Sequence, residues 1–165
     1  MSDLNALGLL AQALRHRAWR LATAESCTGG LIAAACTSQA GSSDWFDRGF
    51  VTYSNEAKVQ MLGVDAALIA QHGAVSQEVA CAMAQGALQH STADLAVAVT
   101  GIAGPGGAVP GKPVGTVWLA TAVRGEPVQA VRLHFAGDRS AVREATVAEA
   151  IHRLMLRAPF AGGEA

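Results

Sequence analysis

Arg20-Leu-Ala-Thr-Ala-Glu25, Ser26-Cys-Thr-Gly-Gly30 and Leu31-Ile-Ala-Ala-Ala-Cys36 follow one another without a break. The first piece is short and partly alternating, which suits a strand. The third is a run of strong helix formers. The glycine pair between them permits a tight turn. The unit therefore reads as strand, turn, helix. A second stretch supports the same architecture. Leu95-Ala-Val-Ala-Val99 is apolar at every position, as in a strand buried on both faces. It runs into Thr100-Gly-Ile-Ala-Gly-Pro-Gly-Gly107, a glycine-rich loop that Pro110-Gly-Lys-Pro113 extends.

Working outward, Leu7, Leu10, Ala11 and Leu14 share one face of an N-terminal helix, with Asp3 as its expected cap and Gly8 weakening the pattern. Trp45 to Tyr53 reads as a strand. Ser54-Asn55 offers cap chemistry for a helix over 56–62, stopped by Gly63. A short helix over 65–71 ends near Gly73. Ser76 caps a longer one through Leu88, with Glu78 in its first turn. Strands are expected over 115–123 and 128–135, and an amphipathic helix over 140–156. Early alternation followed by clustered strands predicts an α/β fold, a three-layer α/β/α arrangement with a mixed sheet. We expect a single domain over 1–158 and a loose tail at 159–165.

The chain of 165 residues has 51% hydrophobic and 15% charged residues and a formal net charge of -1. This excludes intrinsic disorder and a basic nucleic-acid coat. A chain of this length buries roughly 70% of its unfolded surface and needs no disulfide or metal staple. No apolar stretch reaches the ~20 residues of a membrane span, and no signal peptide is visible. The three cysteines, Cys27, Cys36 and Cys81, form no CxxC pair. They read as reduced thiols of a cytoplasmic protein. The five histidines show no HExxH or HxH spacing, so no metal site is expected.

Ligands of open α/β sheets bind beyond the carboxyl ends of the strands, where both glycine-rich loops should lie. The first loop also opens a helix, whose free N–H groups and dipole favour an anion or a carbonyl oxygen. Ser26 serves there either as a helix cap or as a nucleophile beside an oxyanion site. Cys27 is either a competing nucleophile or a small core residue. Neither loop holds a histidine, so a Ser-His-Asp triad has no seat. Lys58, in the first turn of its helix, is either a solvated lysine or a base whose pKa the helix end and burial depress. Tyr53, the only tyrosine, is either a hydrogen-bond donor to the site or a half-buried sheet residue. Arg139 and Arg143 share a helix face. They form either a phosphate site or a solvated set balanced by Asp138 and Glu144. Lys112 is a further residue with reach to an anion.

Thr23-Ala-Glu-Ser-Cys-Thr-Gly-Gly30, Gly41-Ser-Ser, Gly49-Phe-Val-Thr-Tyr-Ser-Asn-Glu-Ala-Lys58, Gly73-Ala-Val-Ser76, Thr100-Gly-Ile-Ala-Gly-Pro105 and Lys112-Pro-Val-Gly-Thr116 occur in that order. The series resembles the CinA C-terminal domain family over about residues 5 to 156. The resemblance implies that family's fold and a Ser/Lys amidohydrolase without metal or cofactor. Such an enzyme removes ammonia from the carboxamide of nicotinamide mononucleotide, leaving nicotinic acid mononucleotide. Carried over by motif position, Ser26 is the nucleophile, Lys58 its base and Tyr53 a hydrogen-bonding aid. Thr28, Gly29 and Gly30, with Thr100, Gly101 and the loop to Gly104, would surround the amide and its oxyanion. Arg139 or Arg143 would hold the 5′-phosphate. The expected partner is this small nucleotide, with neither nucleic acid nor membrane, and a homodimer is the expected assembly. Two other readings stay open: a nucleotide-binding regulatory module without catalysis, and a Ser/Lys amidase for another small amide.

Overall fold

The computed structural model describes residues 3–159, with side chains from Asn5 onward. The expected Asp3 cap lies outside the described side chains, and the tail beyond Pro159 lies outside the described residues. The helices are α1 (Asp3–Arg17), α2 (Leu31–Thr37), α3 (Asn55–Leu62), α4 (Ala66–His72), α5 (Gln77–Gln89) and α6 (Arg139–Arg157). The strands are β1 (Leu21–Glu25), β2 (Phe46–Val51), β3 (Leu95–Gly101), β4 (Thr116–Val123) and β5 (Gln129–His134). They form one sheet in the order β2-β1-β3-β4-β5. β1 runs parallel to β2 and β3, while β4 is antiparallel to both β3 and β5. The sheet is therefore mixed, as the alternation predicts.

Side chains of a strand point alternately to its two faces, and here the two faces differ in size. Leu95, Val97 and Val99 join Leu21, Leu119 and Val123 in a core against α1 and α6. Ala96 and Ala98 join Ala22, Ala24, Ala120 and Ala122 against α5. The alanine face lets α5 lie close to the sheet. Every side chain from Leu95 to Val99 is fully buried, which explains the unbroken apolar run.

Among the described residues, four helices begin at a side-chain cap. The oxygens of Ser54, Asp65, Ser76 and Asp138 accept from the N–H groups of Ala57, Ala67, Val79 and Ala141. Asp65 thus precedes its helix rather than opening it, and Arg139 is the first residue of α6. The strand expected over 45–53 is shorter, and Tyr53 lies in the connection to α3, outside the sheet. The turn there must deliver Ser54 as a cap, which ends strand geometry early.

The register then sets up the site. Glu25 pairs with Val51 on one side and with Val99 on the other. The Thr52 N–H donates to the Glu25 carbonyl at 2.8 Å and the Ser26 N–H to the Val99 carbonyl at 3.1 Å. β2 and β1 end level at Val51 and Glu25, and β3 continues past Val99 to Gly101, so the segments that follow the three strands emerge at one end of the sheet. No described helix is long and apolar enough to cross a membrane.

Candidate active site

Beyond these strand ends lies a cavity of about 270 Å³. Ser26 and Cys27 come from the turn after β1. Tyr53 comes from the connection before α3, and Asn55 and Lys58 from the start of that helix. Thr100 and Gly101 come from the end of β3, which runs past Val99 into the stretch expected as loop. Ala103 comes from the loop after it, and Ala74 and Val75 from the segment before α5. Arg139, at the start of α6, closes the rim.

Ser26 and Lys58, 32 positions apart in sequence, meet here. Lys58 Nζ lies 3.1 Å from Ser26 Oγ and 3.0 Å from the Thr52 carbonyl oxygen. Lys58 is 1% exposed, and among the described residues it forms no ion pair. Burial pushes its ammonium below the ordinary lysine value of 10.5, and the Cys27 thiol opposes part of that shift. The desolvated lysine, rather than the solvated one, is what the fold builds. Cys27 is shaped the opposite way. Burial lifts its thiol to about 11, so at neutral pH it is protonated and a poor nucleophile.

Tyr53 is 61% exposed, neither sheet-bound nor half-buried. Its hydroxyl accepts from Arg139 Nη2 at 3.0 Å. Arg139 Nη1 donates to the Gly104 carbonyl at 2.9 Å. Arg139 thus bridges the two loops and lies on the shared wall of the cavity and a second cleft of about 470 Å³, lined by Ala103, Pro105, Val114 and residues 137–140. Thr100 Oγ1 donates to the Ala74 carbonyl at 2.9 Å, tying the end of β3 to the 73–76 segment. A Cβ on Gly101 would come within 2.7 Å of Val117 Cγ2 and 3.2 Å of Cys27 Sγ. Only glycine keeps that wall thin.

Other expected positions lie elsewhere. Thr28, Gly29 and Gly30 do not line the cavity, and the free N–H groups expected at the α2 end are taken. Ile32 N and Ala33 N donate to the Glu25 carboxylate at 2.8 and 3.1 Å, and Thr28 Oγ1 donates to it at 2.6 Å. Arg143 is not on the cavity wall and not a solvated partner of Asp138 or Glu144. Its Nε and Nη2 donate to the carbonyls of Cys27 and Thr28 at 3.1 and 3.2 Å. Lys112 donates to the His72 carbonyl at 2.9 Å, which fixes the long loop to the end of α4 instead of leaving its charge for an anion.

Sequence reasoning did not single out Glu25, the Thr52 carbonyl, Asn55 or the wall at Ala74 and Val75. Glu25 carried one signal, a carboxylate directly before a glycine turn; the structure caps α2 with Gly30 and not with Ser26. Among the described residues no group of three His, Cys, Asp or Glu side chains is placed to hold a metal, and no histidine lines the cavity.

The five-stranded mixed sheet, with a buried lysine against a serine beyond the carboxyl ends of its strands, defines a compact α/β protein. The CinA C-terminal domain family matches residues 5–157, and the chain belongs to it. Nicotinamide-nucleotide amidohydrolase PncC of Escherichia coli (strain K12) is 56% identical over 144 residues, 87% of each chain. A CinA-like protein of Citrifermentans bemidjiense is 58% identical over 137 residues, which are 83% of this chain and 33% of that longer protein. The crystal structure of the competence/damage inducible protein CihA from Agrobacterium tumefaciens superposes with a TM-score of 0.91 at 46% identity, covering 94% of this chain and 96% of that one.

Proposed function

We propose that this protein is an amidohydrolase that converts nicotinamide mononucleotide and water to nicotinic acid mononucleotide and ammonia. The similarity to the nicotinamide-nucleotide amidohydrolase supports the substrate. The single observation that carries the chemistry is the buried, ion-pair-free Lys58 at 3.1 Å from Ser26 Oγ.

Neutral Lys58 takes the Ser26 proton as Oγ attacks the carboxamide carbon. The oxyanion develops against the turn that carries Ser26 and Cys27, both of which line the cavity. The Lys58 ammonium then gives its proton to the departing nitrogen, and ammonia leaves. Water, deprotonated by the same amine, hydrolyses the acyl-enzyme and restores Ser26. The Thr52 carbonyl accepts from Lys58 at 3.0 Å and holds Nζ in place through both halves. Burial lowers the Lys58 pKa and favours the neutral amine that this scheme uses. Arg139 suits the 5′-phosphate because it lies where the cavity opens into the adjoining cleft. Arg143 lines neither the cavity nor the cleft and is not assigned to the phosphate.

The test is product analysis after incubating the purified protein with nicotinamide mononucleotide in EDTA, beside a panel of other small amides. Equal amounts of ammonia and nicotinic acid mononucleotide are expected. Ammonia from a different amide alone would reassign the substrate. Nucleotide binding without product would identify a binding module.

A further inference from the structure

The turn that carries Ser26 is held by two charged groups that do not line the cavity. Its own hydrogen bonds are few: Gly29 N donates to the Ser26 carbonyl and Leu31 N to the Thr28 carbonyl, both at 3.1 Å. Gly29 and Gly30 sit at φ 59 and 104, and Gly30 gives α2 no side-chain cap. A helix of seven residues has little stability by itself. Glu25 supplies what is missing. It follows Leu21 and Thr23 in strand alternation and so faces the α2 side of the sheet. There its carboxylate accepts from Thr28 Oγ1 and from the N–H groups of Ile32 and Ala33. The second group is Arg143, one turn into α6. Its guanidinium fork donates to two successive carbonyls, Cys27 and Thr28. Among the described residues Arg143 has no carboxylate partner. Its charge is spent on the turn.

We infer that Glu25 and Arg143 are positioning residues which clamp the 26–30 turn and thereby set the distance between Ser26 and Lys58. The inference rests on the reading of Ser26 as nucleophile. Lys58 is placed independently, by α3 with its Ser54 cap and by the Thr52 carbonyl. Any slack in the turn therefore appears directly as misplacement of Oγ relative to Nζ. A misplacement of about 1 Å costs on the order of 100-fold in rate. Substrate binding is unaffected, because neither side chain lines the cavity.

The experiment compares wild type with Arg143→Lys and Glu25→Gln. Lysine keeps the charge but cannot span two carbonyls with one planar fork. Glutamine keeps the shape but loses the charge and one acceptor. Steady-state kinetics with nicotinamide mononucleotide give kcat and KM. The rate of sulfonylation by phenylmethylsulfonyl fluoride, located by peptide mass spectrometry, reads Ser26 alone. In that step the Oγ–S bond forms, the S–F bond breaks, fluoride departs and Lys58 takes the serine proton. Circular dichroism checks folding. If Glu25→Gln does not fold, Arg143→Lys, on the half-buried side of α6, decides alone.

Both variants are expected to lose kcat and sulfonylation rate together, by about 10- to 100-fold, with KM unchanged. A raised KM with a normal sulfonylation rate would make Arg143 a substrate contact and overturn the clamp. Unchanged values of all three would also overturn it. Wild-type protein that turns over substrate yet is not sulfonylated at Ser26 would overturn the nucleophile reading, and the clamp with it.

Discussion

Lys58 owes its chemistry to an environment that opposes its charge. Its ammonium has two oxygen neighbours and no anion, so folding favours the neutral amine. Its folded pKa lies below the unfolded value, so the unfolded chain binds the extra proton between the two. Below the folded pKa both states carry the charge, and the folded state bears the full burial cost. That cost is relieved as pH rises from the folded pKa towards 10.5. Lys58→Met should therefore melt no lower than wild type at pH 7 while losing about 10²–10⁴-fold in kcat. Calorimetry and ammonia release check the two halves. The kcat/KM of wild type should rise with pH along an acid limb set by Lys58, and this limb should lie below the ordinary lysine range. At the rim, Arg139→Ala should raise KM by about 10- to 100-fold, the worth of a charge-assisted bond to phosphate. A KM within twofold of wild type would remove Arg139 from phosphate binding.

At the scale of elements, what matters is how α3 is held, since it carries Lys58. Its start is fixed by Ser54 and its end by the left-handed Gly63 cap. Its flank rests on α5 at Gly86, where an added Cβ would run into the Leu62 carbonyl. Gly86→Ala cannot be absorbed by a side-chain rotation, because the obstacle is backbone. It should cost about 1–3 kcal/mol and shift α3, lowering kcat as well as the melting temperature. A variant with unchanged unfolding and kinetics would mean that α3 tolerates displacement. Elements were largely legible in the sequence. Cap residues and apolar periodicity are local signals, and Ser54, Gly63, Ser76 and the Leu95–Val99 run reported the fold directly. The limits of β2 were not legible, because Thr52 and Tyr53 look strand-like until the cap at Ser54 competes for the backbone.

For the whole molecule, the sequence carried the α/β class and the residue types of the site but not their distances. That Ser26 and Lys58 come together follows from β1 lying between β2 and β3 with Glu25 in register with Val51, a long-range register no local pattern encodes. The same gap explains Arg143 and Lys112. Each has the reach and charge of an anion ligand, and each is claimed by carbonyls of a distant segment. The alanine-rich sheet face and the buried thiols set a global property too. Cys27 and Cys36 are pushed up by burial from 9.0 to about 11 and about 12. Below pH 9 both are protonated in either state, so their contribution is fully present there. Above it the unfolded thiols ionise first and the contribution is lost as pH rises towards the folded values. Stability should fall from about pH 9 upward, at up to 1.4 kcal/mol per pH unit for each thiol. Cys36→Ala should flatten that fall, as denaturant melts between pH 8 and 11 would show.

The account stands most directly on the partnership of one serine and one lysine. The measurement is the rate of ammonia release from nicotinamide mononucleotide by wild type, Ser26→Ala and Lys58→Met, side by side and with folding verified for each. Release by wild type, with both variants reduced to near background, is the predicted result. Release by Ser26→Ala at a rate near that of wild type would contradict it.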